Sequence, residues 1–249
     1  EHLSVAASSF FRSERTTRIL ETITGAITVA FTTALLFASV EWLTTAFGSG
    51  LLIGLIPVRL LAGVVPVSFA VMTVRFVINM PRGAASRISA GVGVLIGVVL
   101  ALGSVTNLVY TVSVEIPEFI FTIETVWFTF IDLFSLPLLI LLLASAFVGT
   151  PLFVVLTGVA YLLFSRGVGI VAVVPNEGYT MLTSASIPAI PMFTFVGYVL
   201  GESKAGERLF RLFRAAFGWF RGGMVVASII VSVFFATFTG ASGVVILAL

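Results

Sequence analysis

Five small or hydroxylated residues near the end of the chain have side chains and backbone that are suited to binding an ion. They are Thr239, Gly240, Ala241, Ser242 and Gly243, and they interrupt a long apolar run. Hydroxyls and unwound carbonyls are hard oxygen ligands, and glycine lets the backbone approach an ion closely. Irregular backbone at membrane depth is tolerated where it lines a cavity, so we predict a hairpin tip that binds an ion or substrate at Thr239 to Ser242.

Two other interpretations of this segment remain open. Small residues also form helix-packing faces, because they let two helices approach closely. In addition, Gly240 to Gly243 has the G-x-S-G spacing of rhomboid-like intramembrane serine proteases, with Ser242 as the nucleophile. Such a serine needs a general base within hydrogen-bond reach. The single histidine of the sequence is His2, in a polar stretch before the first apolar run.

Two prolines predict a second break in helical backbone. Pro188 and Pro191 follow Ser186 inside the apolar run 180–201. Each proline removes a backbone donor and clashes with the preceding turn, so the helix must kink or open there. We interpret the break as lying near a transport path, while a simple packing kink would have the same pattern.

The segment 203–221 is predicted to form an amphipathic helix. One half of its helical wheel is apolar and rich in phenylalanine, and the other half is basic. The basic residues are Lys204, Arg208, Arg211, Arg214 and Arg221. This separation is typical of a helix that lies in the membrane interface. A solvated loop helix packed on a neighbour is the alternative.

The composition indicates an all-α polytopic membrane protein. The sequence has 249 residues, 59% hydrophobic and 10% charged, whereas about 25% of residues are charged in a typical soluble domain. The predicted spans are 19–47, 53–79, 88–112, 127–148, 151–165 and 180–201, followed by a segment from 223. We therefore expect about six transmembrane helices, an interfacial arm helix and the start of a re-entrant hairpin. Since the sequence opens without an initiator Met and stops inside an apolar run, we expect an internal fragment of a longer polypeptide.

The charges predict an orientation and exclude several functions. Basic residues cluster in 10–18, 81–87 and 202–222, which the positive-inside rule places in the cytoplasm, with the acidic loop 113–126 outside. Isolated charges near span ends, such as Glu41, are either interfacial anchors or functional sites, and we expect anchors. Three tryptophans are expected to belong to the interfacial aromatic belt: Trp42, Trp127 and Trp219. The sequence contains no cysteine, nucleotide-binding motif or metal-ligand spacing, and nothing in it indicates nucleic-acid binding.

The order of these elements resembles the large permease subunit of the tripartite ATP-independent periplasmic (TRAP) transporters. The resemblance covers about residues 133–249. It is carried by Ser186-Ile187-Pro188-Ala189-Ile190-Pro191-Met192-Phe193 with Gly197, the basic arm, Gly222-Gly223, Ser232, Phe235 and Thr239-Gly240-Ala241-Ser242. The first 80 residues resemble the latter half of the small permease subunit. The resulting domains are a small-subunit-like scaffold (1–80), a connecting helix with a periplasmic loop (81–126) and a truncated large-subunit-like domain (127–249).

The resemblance implies a function. A permease of this family imports small organic acids, of the dicarboxylate or acidic-sugar class, that a periplasmic binding protein delivers, with sodium as the coupling ion and an elevator-like movement. It implies no catalytic residue, no cofactor and no metal beyond sodium, and it places the chain in the inner membrane of a bacterium or archaeon. Thr239 stands where the family usually has Ser. Gly243 stands where another small polar residue is frequent, which leaves its side-chain role undefined.

Overall fold

Long apolar runs fold as helices, because a helix satisfies its backbone hydrogen bonds internally where no water is available. The computed structural model describes residues 14–48, 50–81, 83–113, 115–167, 169–219 and 222–239, and the regular elements in this part of the chain are helices and one short hairpin. The helices are α1 (Glu14–Thr45), α2 (Val58–Ala62), α3 (Val64–Ile78), α4 (Ala84–Leu100), α5 (Leu102–Val112), α6 (Glu118–Val148), α7 (Leu152–Gly167), α8 (Val173–Leu182), α9 (Ala189–Glu202), α10 (Ala205–Phe217) and α11 (Gly223–Thr239). The strands β1 (Leu52–Ile53) and β2 (Ile56–Pro57) pair antiparallel.

Several of these helices are long and apolar enough to cross a membrane. Within the described residues, three pass this test: Arg15–Thr45, Val58–Ile78 and Glu118–Val148. A fourth crossing results if α4 and α5 form one span, bent by 50°. The helices α7, α9 and α11 are apolar but shorter. The predicted fold class, an all-α polytopic membrane protein, is confirmed.

Two predicted boundaries are wrong. The acidic segment 113–126 is not a continuous loop, because α6 begins at Glu118. The preceding Pro117 lies at the N-cap in an extended conformation, and the Glu118 carboxylate in the first turn suits the positive end of the helix dipole. The segment 180–201 is likewise not one span, because α8 ends at Leu182 and α9 begins at Ala189.

The chain divides into two compact units, residues 1–180 and 181–249. In the first unit α1 is the central helix, and it contacts α3, α4, α5, α6 and α7. Its contact with α4 is close because Gly93 and Gly97, in a G-x-x-x-G spacing, face the α1 backbone. A Cβ atom on Gly93 would lie 2.7 Å from the Ala26 carbonyl oxygen, and one on Gly97 would lie 2.5 Å from that of Ala30.

In the second unit α9, α10 and α11 pack on one another. The turn between α10 and α11 depends on two glycines. Gly222 has φ +93°, which residues with a Cβ rarely adopt. A Cβ atom on Gly223 would overlap the Phe217 carbonyl oxygen, at 1.7 Å. The predicted Gly222-Gly223 junction therefore joins the arm helix to the next apolar helix through a turn that excludes larger residues.

Candidate functional site

The helix that leads to the predicted ion-binding tip is α11, which runs from Gly223 to Thr239. Thr239 is its last residue, and Gly240, Ala241 and Ser242 lie outside the described residues. His2, the single histidine of the sequence, lies outside them as well. Both the ion-binding role of the tip and the alternative serine nucleophile therefore stay predictions.

The predicted proline break is a run of turns between α8 and α9. Residues 183–188 are not helical, and backbone N–H groups bond three residues back, from Ile187 to Ser184 at 3.1 Å and from Ala189 to Ser186 at 3.1 Å. Pro188 is the N-cap of α9, and Pro191 lies in its first turn, where a missing N–H costs no helical hydrogen bond. The prolines therefore begin a helix and do not kink one. A location near the transport path stays a prediction.

The predicted arm corresponds to α10. Its N-cap is Lys204, and the side chains of Arg208, Arg211 and Arg214 are exposed. The opposite face carries Phe210, Phe213 and Phe217, which are partly buried. Two of these rings, those of Phe213 and Phe217, stack with centroids 6.2 Å apart. Arg221 lies outside the described residues. The helix thus has one basic and one aromatic face, and its location in the membrane interface stays a prediction.

A buried polar cluster in the first unit was not predicted. Glu41 on α1 is only 3% exposed, so its expected role as an interfacial anchor is wrong. Its Oε1 accepts a hydrogen bond of 2.9 Å from Asn107 Nδ2 on α5, whereas its Oε2 has no partner. The Ser104 hydroxyl is also buried without a partner, although it lies beside both the Glu41 carboxyl and the Tyr161 hydroxyl. We call Glu41, Ser104, Asn107 and Tyr161 the Glu41 cluster.

The cluster adjoins the bend between α4 and α5. Two side-chain donors converge on the carbonyl oxygen of Leu100, the last residue of α4: Tyr161 Oη at 2.9 Å and Trp127 Nε1 at 3.1 Å. Neighbouring side chains that bond to backbone at a helix break are what allow such a break inside a membrane. Trp127 is therefore a buried structural residue, and its expected place in the interfacial belt is wrong.

Trp42 is the second tryptophan whose predicted location is wrong. It is 2% exposed, and its Nε1 donates to Asn176 Oδ1 on α8 at 2.9 Å. Its ring also contacts those of Phe47 and Tyr179, each with centroids 5.1 Å away. The signal that was available is the presence of Glu41 and Asn107 in otherwise apolar segments, since polar and ionisable groups within membrane spans are rare and functional by default.

These features define the class of the protein, a multi-pass α-helical membrane protein. Residues 136–246, from the middle of α6 to beyond α11, match the family described as "Tripartite ATP-independent periplasmic transporter, DctM component". The resemblance to a TRAP permease is thus confirmed over this part of the chain.

A curated relative agrees with the family match. The chain is 26% identical over 114 residues to the C4-dicarboxylate TRAP transporter large permease protein DctM of Vibrio cholerae serotype O1 (strain ATCC 39315 / El Tor Inaba N16961). The aligned region is 45% of this chain and 25% of the relative, so the chain spans about a quarter of that relative's length. No solved structure matches the chain. The small-subunit-like character of residues 1–80 and the three predicted domains stay predictions.

Proposed function

We propose that the protein is the permease of a sodium-coupled secondary transporter that imports small organic acids delivered by a periplasmic binding protein. The observation that carries the proposal is the family match over residues 136–246, because it includes α9, the arm helix, α11 and Thr239 to Ser242. The relative from Vibrio cholerae is named for C4-dicarboxylates, which favours dicarboxylates over acidic sugars as the substrate class.

The hydroxyls along α11 support Thr239 and Ser242 as the ion-binding residues. Ser228 Oγ donates to the Met224 carbonyl at 3.0 Å, and Thr237 Oγ1 donates to the Val233 carbonyl at 2.9 Å. These two hydroxyls lie within regular helix, where the neighbouring carbonyl oxygens are already hydrogen-bonded along the helix, so the backbone offers an ion few further ligands there. Ligands that follow the helix end can contribute backbone carbonyls as well as hydroxyls, as in the interrupted helices of secondary transporters.

The arm helix suits a bracing role in an elevator-like movement. Its aromatic face packs within the second unit or into the apolar edge of the bilayer, and its exposed arginines suit lipid headgroups. In the proposed mechanism α10 stays at the interface while the tip after α11 moves with the bound sodium and acid. No step requires a catalytic residue or a cofactor.

Uptake into proteoliposomes tests the proposal. The intact protein is reconstituted with a periplasmic binding protein outside, and radiolabelled dicarboxylates and acidic sugars are offered with and without an inward sodium gradient. We expect sodium-dependent uptake that Thr239→Ala or Ser242→Ala abolishes. The matched control is Ser228→Ala on the same helix, which removes a hydroxyl bonded to its own backbone and should leave uptake unchanged.

Each other outcome would count against part of the proposal. Uptake that survives both tip substitutions would move the coupling site elsewhere. Uptake in the absence of a binding protein would show that transport does not require this partner. If no acid were transported under either condition, transport would be rejected, and Ser242-dependent cleavage of a membrane-protein substrate would then support the protease.

A further inference from the structure

The Glu41 carboxyl lies in the interior of the first unit with a hydrogen-bond partner for only one of its two oxygens. It is 97% buried, with one oxygen bonded to Asn107 Nδ2 and the other without a partner. An isolated buried carboxylate is costly, because a single neutral donor does not replace the hydration that it loses. Within the part of the chain that the structure describes, Glu41 forms no ion pair.

A basic side chain at this end of α1, that of Arg59, is already hydrogen-bonded to the backbone. The Arg59 guanidinium bonds to the carbonyl oxygens of Phe47, at 2.7 Å, and Thr44, at 3.0 Å, and so complements the C-terminal end of the helix dipole. The group that faces Glu41 from α7 is the neutral phenol of Tyr161, which donates to Leu100. From α5, Ser104 and Asn107 are also neutral. If Glu41 is ionised, its described surroundings therefore leave that negative charge uncompensated.

The atoms of the cluster that lack a hydrogen-bond partner are oxygens, and oxygens favour a hard cation as the bound species. Glu41 Oε2 and Ser104 Oγ are both buried and both lack a hydrogen-bond partner. Tyr161 Oη donates to Leu100 and lies close to Ser104, so the phenol is a further oxygen beside this pair. Carboxylate, hydroxyl and phenol oxygens are hard ligands, and a single carboxylate balances a single positive charge.

We propose that the Glu41 cluster binds a small monovalent metal cation, with Glu41 as the charged ligand and Ser104 as a neutral one. The bent pair α4 and α5 supports this assignment, because helices interrupted at membrane depth commonly occur beside ion sites. The cluster consists of other residues than the predicted tip at Thr239 to Ser242, and the proposal does not depend on whether that tip couples transport to sodium.

Sodium-dependent thermal stability of the intact protein in detergent tests the site. The apparent Tm is measured over a series of sodium chloride concentrations, with choline chloride holding the ionic strength constant. All variants are prepared in the Ser242→Ala background, so that sodium binding at the predicted tip does not contribute. A cation that binds only the folded state raises the apparent Tm as its concentration rises.

We expect Glu41→Gln to lose the sodium-dependent rise in Tm. Ser104→Ala should shift the half-saturating sodium concentration upward by about tenfold, the usual order of effect when a group that supports a metal site is removed. Ser104→Ala is expected to fold even if Glu41→Gln does not, since the atom that it removes is a buried oxygen without a hydrogen-bond partner. The matched control is Glu177→Gln on α8, an exposed carboxylate whose removal should leave the sodium response intact.

Two results would overturn the proposal. An unchanged sodium response in both Glu41→Gln and Ser104→Ala would place any bound cation elsewhere. If lithium, sodium and potassium all failed to raise the Tm while acidification alone did so in a Glu41-dependent manner, the carboxyl would hold a proton and not a metal cation.

Discussion

At the scale of single residues, the glycines of α4 differ in what they contact. A Cβ atom on Gly97 would lie 2.5 Å from the Ala30 carbonyl oxygen and 2.6 Å from Thr33 Cβ, whereas one on Gly91 would meet nothing within 4 Å. We therefore expect Gly97→Ala to destabilise the first unit by about 1–3 kcal/mol, the usual cost of overpacking. Gly91→Ala is the control on the same helix and should not destabilise it. Unfolding of the purified protein in detergent, followed by size-exclusion chromatography, measures both, and equal stability would contradict the close α1–α4 contact.

At the scale of elements, the turn between α10 and α11 determines how the arm is joined to the next helix. Gly223→Ala would force Cβ onto the Phe217 carbonyl oxygen, so the turn must open. We expect amide hydrogen exchange in the last turn of α10 and the first turn of α11 to become faster, because local opening governs exchange. Gly178→Ala on α8, where the added Cβ meets nothing within 4 Å, is the control. Unchanged protection in Gly223→Ala would show that the turn has another conformation in the membrane.

At the scale of the whole molecule, the distribution of charge predicts which loops face the cytoplasm. The sequence contains no cysteine, so single cysteines can report sidedness. A membrane-impermeant maleimide added outside spheroplasts is expected to label Gly50→Cys and Glu115→Cys. It should label Gly83→Cys and Lys204→Cys only after permeabilisation. All four positions are exposed, so burial does not explain a lack of labelling. Labelling of Lys204→Cys from outside would contradict the positive-inside assignment of the arm.

The sequence was informative wherever a local rule decided the structure. Apolar runs predicted helices, because backbone groups without water must bond to each other. The amphipathic pattern predicted α10, and the prolines predicted a break at 183–188. The start of α6 was missed because three acidic residues were interpreted as a loop, although Pro117 and Glu118 are typical of a helix N-terminus.

The sequence by itself determined the class of protein, the helical segments and the family resemblance, because each depends on composition, periodicity or residue order along the chain. Only the tertiary structure decided where the side chains of Glu41, Trp42 and Trp127 lie. The sequence predicted them at the membrane interface, and the fold buries them. The partners that bury them come from distant parts of the chain: Asn107 for Glu41, Asn176 for Trp42 and Leu100 for Trp127. Hydropathy along the chain indicates which segments can cross a membrane, but whether a side chain faces lipid, water or protein depends on which helices pack against it.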